Sequence, residues 1–388
     1  MSLTVCTSSV EERGHNRWPT TWRSPMSTIT ETIDETRVQE FAGRLFGIYT
    51  GAMLSAMIDI GYRTGLFEAA AQGPASSPEL AIRAGLHERY AREWLGAMAT
   101  SGIVEYDAAS ETYRLPPEHA ACLTGGGSGN LAPFGQLNTH LATHVKEVAR
   151  VFRDGGGVPY EAFRPEFTDA MDAMGRGAFD EELVDAWLPC ASGLRETLTR
   201  GARVADIACG TGHAVVLLAR EFPRSTFTGY DTAEDAIARA RAEAAAAGLT
   251  NAHFEVRDVA ELTVDDPLDV VFVFDAIHDM VSPTAVLRCI YDALAPGGVF
   301  FMKEPRVSSD LADNIGNPFA PILYSVSTLH CLTVSLADNG AGLGTAWGEQ
   351  VARRMLADAG FDDIGVYEAP ADPMDAIFTM GKPAAAAD

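Results

Sequence analysis

The spacing of apolar residues changes once along this chain, near Arg203. Before that point apolar residues recur every three to four positions, as in helices, and Gln39–Gly65 is a clear example. After it, short apolar runs alternate with amphipathic stretches, and the run Val270–Phe274 is apolar throughout. This alternation predicts a mainly parallel sheet with helices on both faces.

The predicted sheet contains a series of strands with a helix after most of them. The predicted strands are Val204–Ala208, Thr226–Tyr230, Ala252–Val256, Val270–Phe274, Val299–Lys303, Gly365–Glu368 and Ala376–Met380. The predicted covering helices are His213–Glu221, Ala233–Ala247, Pro283–Leu294 and Trp347–Ala359. The last two strands are close enough along the chain to form a hairpin, so the sheet is predicted to end with one antiparallel strand.

The segment before residue 125 has the pattern of a winged helix. Ser77 is the predicted N-cap of a short helix, Pro78–Ala84, and a second helix ends at Gly102. Two strands are expected after it, Ile103–Tyr106 and Thr112–Leu115. Such modules often bind DNA, but acids outnumber bases here, which favours a structural or dimerising role.

A helical segment separates this module from the sheet. It starts after a glycine-rich hinge at Gly125–Gly129, includes a predicted helix over Leu131–Phe152, and is expected to act as a lid. A second irregular stretch, Arg306–Gly348, interrupts the sheet pattern, and Ile322–Leu332 is a possible helix within it. The predicted divisions are a disordered leader (1–37), a winged-helix dimerisation domain (38–124), a helical linker or lid (125–200) and the ligand-binding domain (201–388).

The net charge of −24 narrows the classes of function. Nucleic acids and anionic membranes both need clustered Lys and Arg, so neither is an expected partner. The cysteines are scattered without a C-x-x-C pair, which predicts no metal centre and no disulfides and favours a cytoplasmic location. The first 25 residues lack the apolar core of a secretory signal, and no apolar run approaches the length of a membrane-spanning helix.

The first strand of the sheet leads into a glycine-rich bend. The segment Asp206–Gly212 has the sequence D-I-A-C-G-T-G. Glycines permit a tight turn and a close approach of ligand to backbone, and ligands in such sheets bind beyond the carboxyl ends of the strands. A dinucleotide fingerprint would need a third glycine at Val215. Asp206 would repel a pyrophosphate, but it suits a ligand that carries an ammonium and a sulfonium group.

Two further acids end the next two strands. Asp231 can accept hydrogen bonds from both ribose hydroxyls, and Asp258 can accept one from an adenine amino group. Either acid alone would be interpreted as a helix N-cap or a solvated turn residue. Three acids at successive strand ends, beside a Gly-x-Gly bend, favour a nucleoside site instead. Phe274 and Asp275, which end the fourth strand, are also predicted to bind the cofactor.

This arrangement resembles the class I S-adenosylmethionine-dependent methyltransferases over Arg203–Pro383. The resemblance implies a Rossmann-like, seven-stranded, mainly parallel sheet and S-adenosylmethionine as the cofactor. It implies that Asp206, Gly210 and Gly212 contact the methionine part of the cofactor. It also implies that Asp231 contacts the ribose and that Asp258 and Val259 contact the adenine. Ala208 stands where that family usually has glycine, and its small side chain is expected to be tolerated.

A winged helix before such a domain resembles the small-molecule O-methyltransferases of plants and bacteria. That likeness implies a homodimer, formed by an exchange of helices in the N-terminal domain. In that group a Leu-His-Asp-Trp segment follows the fourth strand and its His is the general base; here His278 and Asp279 match and Met280 replaces the tryptophan. Imidazole can take the proton of a hydroxyl acceptor near neutral pH. The alternative is that His278 only forms a hydrogen bond or caps a loop.

The interruption after the fifth strand is expected to line the acceptor pocket. Its parts Tyr324–Leu336 and Gly340–Gln350 resemble a smaller set of actinobacterial-type methyltransferases with unassigned acceptors. The candidate pocket residues are Asn138, His140, Tyr324, His330, Trp347 and Glu349. The alternatives are that His330 and Cys331 are core residues of an extra helix and that His140 and His144 form a surface face.

The leading hypothesis is therefore a methyltransferase that acts on a small molecule, with oxygen as the expected target. Such an enzyme mainly supplies orientation and a dry site, because the donor drives the reaction. A winged-helix regulator that senses S-adenosylmethionine is the alternative, and an inactive ligand-binding scaffold is a third hypothesis. The identity of the acceptor does not follow from the sequence.

Overall fold

The structure is a computed structural model that describes residues 33–369 and 372–384. The predicted leader lies outside the described residues up to residue 32, and the first helix, α1 (Glu35–Thr64), begins inside the leader's predicted boundary. Packing divides the chain into two units, one ending at Tyr49 and the other beginning at Thr50. The helical spacing predicted over Gln39–Gly65 belongs to this single helix, α1.

Two segments are long and apolar enough to cross a membrane when judged by length and composition alone. They are α1 and the stretch Ala320–Ala337. The expectation that nothing approaches such a helix is therefore wrong by this measure. It failed because it considered unbroken apolar runs, whereas these helices mix apolar residues with small and hydroxyl residues. The core helices of soluble proteins and signal sequences satisfy the same criterion.

The winged helix forms as predicted. Its elements are α2 (Leu66–Ala71), α3 (Ser77–Ala84), α4 (Glu88–Thr100), β1 (Glu105–Asp107), β2 (Thr112–Arg114) and α5 (Pro117–Leu123), and β1 pairs antiparallel with β2. The N-cap of α3 is Ser76 and not Ser77, because Ser76 forms a reciprocal capping box with Glu79. Phe67 and Trp94 meet edge to face in the core of this module, with ring centroids 5.0 Å apart.

The linker segment consists of helices α6 (Pro133–Thr143), α7 (Val145–Asp154), α8 (Glu166–Glu182) and α9 (Leu194–Arg200). The helix predicted over Leu131–Phe152 is split at His144, where one helix ends and the next begins. A single wide turn, Leu183–Trp187, extends α8. Phe163 and Phe167 form part of a separate apolar cluster with α6 and α7.

The sheet has the predicted seven strands. They are β3 (Arg203–Ile207), β4 (Thr226–Asp231), β5 (Ala252–Val256), β6 (Leu268–Phe274), β7 (Leu294–Pro305), β8 (Asp362–Glu368) and β9 (Asp375–Gly381). Their spatial order is β5-β4-β3-β6-β7-β9-β8, and only the pairs β7–β9 and β9–β8 are antiparallel. The single antiparallel strand is therefore last in sequence, as predicted, but it lies inside the sheet between β7 and β8.

Helices cover both faces of the sheet. In chain order they are α10 (His213–Glu221), α11 (Glu234–Ala246) and α12 (Pro283–Ala293), then α13 (Leu311–Asn314), α14 (Ala320–Leu329) and α15 (Cys331–Ala337), and finally α16 (Gly348–Ala359). One buried cluster packs α12 and α16 against the sheet, and the other packs α9, α10 and α11 against the opposite face. The helix predicted over Ile322–Leu332 is the pair α14 and α15, joined at His330.

The bend after β3 contains a non-glycine residue in the left-handed region. Ala208 has φ 57°, and Gly210 and Gly212 have φ 53° and 75°. A side chain in this region costs roughly 1–2 kcal/mol, whereas glycine adopts it freely. Ala208 is thus accommodated in the bend as expected, but its backbone is strained.

We expect Ala208→Gly to be better tolerated than a matched substitution in a helix. Ala242 is exposed within α11, and glycine there should lower the free energy of unfolding by ~1 kcal/mol. At Ala208 the relief of strain offsets the added flexibility of the unfolded chain, so the two variants should differ by about 1 kcal/mol or more in favour of Ala208→Gly. Urea denaturation would measure both, and equal losses would contradict the strain.

Candidate active site

The carboxyl ends of the central strands bring several predicted site residues to one edge of the sheet. Parallel pairing aligns β3 with β4 and with β6, so Asp206, Asp231 and Asp275 approach the same edge. β7 adds Glu304, which follows Lys303 opposite the end of β6. The candidate site is built where these strands end.

The glycine bend is attached to β4 by hydrogen bonds to Asp231. The Gly210 N–H donates to Oδ2 of Asp231 at 2.8 Å, and the Ala233 N–H donates to Oδ1 at 2.8 Å. A Cβ at Gly212 would lie 2.4 Å from Phe254 and 2.6 Å from Ala240, so glycine is required there by space as well as by φ. Each carboxylate oxygen of Asp231 keeps a further lone pair for a ligand.

Asp206 is a buried acid with little compensation from the protein. It is only 3 % exposed, and its Oδ1 has no hydrogen-bond partner in the described part of the chain. Burial, with a smaller contribution from Asp231, raises its pKa well above the usual value. A buried carboxylate of this kind would be stabilised by a ligand that brings a positive charge or donors.

Asp258 begins a short turn, Val259–Glu261, after β5. Its Oδ1 accepts from the Ala260 N–H at 2.9 Å, so this oxygen acts as an N-cap, as the alternative interpretation of Asp258 expects. Val259 is buried in the core cluster on one face of the sheet. Both residues lie beyond the end of β5, next to the strand that carries Asp231.

Phe274 and Asp275 have different surroundings at the end of β6. Phe274 packs among aromatic rings, with its centroid 5.1 Å from that of Phe179. Asp275 has φ 53° and accepts from Nζ of Lys303 at 3.1 Å. Lys303 is buried and also pairs with Asp372 and Asp375. Burial opposes its charge, but these acids raise the pKa of Lys303 well above its usual value.

His278 is held by a buried acid that the sequence prediction missed. The His278 ring is 4 % exposed, and its Nδ1 lies 2.6 Å from Oε2 of Glu304, which is 1 % exposed. Oε1 of Glu304 accepts from the Ile277 N–H at 2.7 Å, and Nε1 of Trp347 donates to Oε2 at 3.3 Å. Glu304 could have been identified from the sequence as an acid at the end of the fifth strand.

Charge interactions set the proton affinity of this pair. Burial disfavours the charged imidazole, but the Glu304 carboxylate and Cys331 outweigh it and raise the pKa of His278 well above its usual value. For the neighbouring Asp279, burial raises the pKa to about 7, with further increases from Glu304 and Asp231. The raised pKa of His278 favours its protonated form, so Nε2 can act as a base only after that proton has left.

Of the candidate pocket residues, the structure brings Trp347 next to His278 through their shared partner Glu304. Oη of Tyr324 accepts from Asn314 at 3.2 Å, within the insertion. Glu349 is exposed and pairs with Arg353 at 2.7 Å. Within the described residues, neither of these two side chains forms a hydrogen bond or ion pair with His278 or Glu304.

His330 is enclosed by aromatic rings. It is 0 % exposed and stacks on Phe167, with centroids 3.5 Å apart, while Phe163 meets it edge-on at 4.8 Å. Neither ring nitrogen has a partner among the described residues, and burial lowers the pKa of His330 well below its usual value. This packing corresponds to the alternative of a core residue.

The two candidates on α6 have partners other than His278 and Glu304. Asn138 is exposed and donates from Nδ2 to Ser55 at 3.0 Å. His140 is half-buried, and its ring centroid is 5.1 Å from that of His144 and 6.2 Å from that of Phe163.

Helix α8 contacts the glycine bend through a polar network that the sequence prediction also missed. Thr211 donates to Oδ1 of Asp172 at 2.5 Å, and Arg176 pairs with Asp172 and with Glu243 at 2.9 Å each. Nδ1 of His213, at the start of α10, lies 2.7 Å from Glu243. The bend is thus fastened to the linker segment as well as to β4.

Four acids at this edge have no lysine or arginine partner among the described residues. Within residues 33–369 and 372–384, no lysine or arginine pairs with Asp206, Asp231, Asp279 or Glu304, and the ion pair of Glu304 is with His278. Lys303 is paired with other acids. The edge therefore carries buried carboxyl groups that the protein compensates only in part, and burial raises the pKa of Asp206 and of Asp231.

Comparison with known proteins agrees with this architecture. A family model described as Rv2258c-like winged HTH domain matches residues 52–125, and one described as methyltransferase domain matches residues 198–360. The trans-aconitate 2-methyltransferase of Variovorax paradoxus is 33 % identical over 112 residues, which is 29 % of this chain and 41 % of that protein. The chain thus spans about two fifths of that relative's length.

Solved structures resemble nearly the whole chain. A putative O-methyltransferase from Nostoc punctiforme has a TM-score of 0.68 at 19 % identity, covering 88 % of this chain and 99 % of its own. Human N-acetylserotonin methyltransferase, solved in complex with S-adenosylmethionine, has a TM-score of 0.65 at 17 % identity, covering 91 % and 99 %. The chain therefore carries an Rv2258c-like winged HTH domain followed by a methyltransferase domain, in the fold of the class I S-adenosylmethionine-dependent methyltransferases.

Proposed function

We propose that this protein transfers the methyl group of S-adenosylmethionine to a hydroxyl oxygen of a small molecule. The observation that carries the proposal is the buried, unpaired Asp206 beside a glycine bend at the carboxyl ends of the strands. S-adenosylmethionine supplies a cationic sulfonium with an activated methyl group. Its positive groups would compensate the negative charge of this edge.

The described residues fit the parts of this cofactor. Asp206 would accept from its ammonium group, and the backbone at Gly210, where an added Cβ would meet nothing within 4 Å, leaves room for close approach. Asp231 would accept from the ribose hydroxyls with its remaining lone pairs. Asp258 and Val259 would contact the adenine, with Phe274 and Asp275 closing the site from β6.

His278 would act as the general base. The acceptor oxygen attacks the methyl carbon, the carbon–sulfur bond breaks with its electrons going to sulfur, and Nε2 of His278 takes the hydroxyl proton. Glu304 binds Nδ1 at 2.6 Å, which orients the ring and stabilises the imidazolium that forms. Trp347 and two backbone N–H groups hold Glu304 in turn.

The charges near His278 favour an uncharged acceptor over a tricarboxylate such as the substrate named for the curated relatives. A polyanion needs basic side chains, and the four acids here would repel it. Arg164, the basic residue near Tyr160, is already paired with Asp235.

Helix α4, which follows α3 in the winged helix, argues against the regulator alternative. Arg92 pairs with Glu88 at 3.2 Å, and Arg89 pairs with Glu93. Arginines occupied by acids on the same helix are poor phosphate ligands. A gel-shift assay at several salt concentrations would separate this alternative from the enzyme hypothesis.

We further propose that α1 forms a homodimer contact with a second copy of the chain. Its exposed apolar residues are Val38, Phe41, Phe46, Ile48, Tyr49, Met53 and Ile60. Exposed apolar residues that are concentrated on one helix indicate an interface, whereas exposed apolar residues without a function are scattered singly over the surface.

Binding of S-adenosylhomocysteine should depend on Asp206 and on pH. In the free protein Asp206 has a raised pKa, and a bound ammonium favours its ionised form, so binding releases a proton and affinity rises with pH. Asp206→Asn should weaken binding by about ten- to a hundredfold and flatten the pH dependence. Calorimetry at several pH values measures both effects.

Asp358→Asn is the matched control, since Asp358 is exposed near the end of α16 and the same charge is removed. Equal affinities for the wild type and Asp206→Asn would refute the cofactor assignment.

His278→Ala should lower kcat by about 10²–10⁴ while leaving S-adenosylhomocysteine affinity unchanged, because the base acts only on the acceptor. Glu304→Gln should lower kcat less, because it keeps a hydrogen-bonding group but removes the charge. A panel of hydroxyl-bearing acceptors with detection of S-adenosylhomocysteine provides the rates. His253→Ala, on the exposed start of β5, is the control. Full turnover by His278→Ala would exclude the base role.

The full-length protein should be a dimer in light scattering coupled to size exclusion. Phe41→Glu with Tyr49→Glu should convert it to a monomer by placing charges in the apolar contact. Arg44→Glu, an exposed residue of the same helix, should leave the dimer intact. A wild-type protein that is a monomer in light scattering would contradict the dimer. This holds whether or not the monomer also floats with lipid vesicles.

A further inference from the structure

Three metal-type ligands meet beside the His278–Glu304 pair. A ring nitrogen of His278, a carboxylate oxygen of Asp279 and Sγ of Cys331 all lie within 4.8 Å of one another. Cys331 is the first residue of α15 and is 4 % exposed, like His278. The sequence predicted no metal centre, because the cysteine is far along the chain from the other two ligands.

Two of these ligands are also held by hydrogen bonds of the kind that surround metal sites. Glu304 occupies Nδ1 of His278 at 2.6 Å, so Nε2 is the ring nitrogen available to an ion. Oγ1 of Thr345 donates to Sγ of Cys331 at 3.0 Å, and this bond orients the sulfur. Ligands oriented by a second layer of contacts differ from a chance grouping of polar side chains.

The charge and chemistry of the cluster favour one class of ion. An ionised Cys331 and Asp279 together neutralise a divalent cation, and no lysine or arginine in the described part of the chain competes for them. Nitrogen, sulfur and oxygen ligands together suit Zn²⁺, whereas Mg²⁺ and Ca²⁺ prefer oxygen alone. Tetrahedral zinc places its ligand atoms about 3.5 Å apart, so small side-chain rotations would close the site.

We propose that His278, Asp279 and Cys331 form a Zn²⁺ site with its fourth position open. The ion would occupy the Nε2 lone pair that takes the acceptor proton in the proposed transfer. Metal binding and proton abstraction therefore exclude each other, and zinc would inhibit methyl transfer reversibly. The site itself does not rest on the methyltransferase activity, because it is defined by ligand geometry.

Cobalt titration of the full-length protein tests this site without cofactor or acceptor. Co²⁺ bound to a thiolate gives a charge-transfer absorption in the near ultraviolet, which carboxylate and imidazole ligands do not give. We expect one equivalent of Co²⁺ to produce this band and Zn²⁺ to abolish it by displacement. Cys331→Ser should lose the band.

Cys289→Ser is the matched control and should retain the band. Cys289 is partly buried, whereas Cys331 is buried, and the Sγ of Cys289 lies 3.2 Å from the carbonyl of Ala260, in a different part of the core. Circular dichroism would confirm that each variant is folded. Absence of the band in the wild type, or its persistence in Cys331→Ser, would overturn the proposal and leave a thiol hydrogen-bonded near an imidazole.

Glu304→Gln provides a second test that does not alter a ligand. Loss of the carboxylate behind Nδ1 should weaken Zn²⁺ binding by about ten- to a hundredfold, measured by competition with a chromophoric chelator. Unchanged zinc affinity would contradict the role of Glu304 in orienting the ligand. These readouts are binding constants and spectra, so they stay interpretable even if no methyl transfer is found.

Discussion

The cluster of buried carboxyl groups at the carboxyl ends of the strands is the constraint on which the site depends. A buried carboxylate is costly unless donors or cations compensate it. The protein supplies backbone donors, such as the N–H groups of Gly210 to Asp231 and of Ile277 to Glu304, but no lysine or arginine within the described residues. Those donors fix the glycine bend and the turn after β6, while the remaining charge is left for a ligand.

Lys303 provides an example, in the same fold, of buried acids whose charge is compensated by the protein itself. It lies near the same edge, yet it is surrounded by Asp275, Asp372 and Asp375 and packs over Trp187 at 5.3 Å. That cluster ties β6, β7 and the start of β9 together and needs no ligand. The contrast separates acids that hold the sheet together from acids that would bind a cation, although both groups end neighbouring strands.

The sequence by itself determined the sheet and the outline of the cofactor site. Strand and helix spacing is a local property, and strands that alternate with helices must pair in parallel. Once they do, residues that end successive strands converge on one edge, which is why Asp206 and Asp231 were identifiable. The bend around Ala208 was also local, although its positive φ was not visible in the residue pattern.

Only the tertiary structure decided which side chains meet His278. Glu304 and Cys331 reach it from a distant strand and a distant helix, and spacing along the chain carries no information on such contacts. The insertion likewise has no sheet register to position it, so packing alone turned Glu349 towards solvent and His330 into an aromatic core. Short-range periodicity fixes secondary structure, whereas side-chain neighbours depend on how the elements pack.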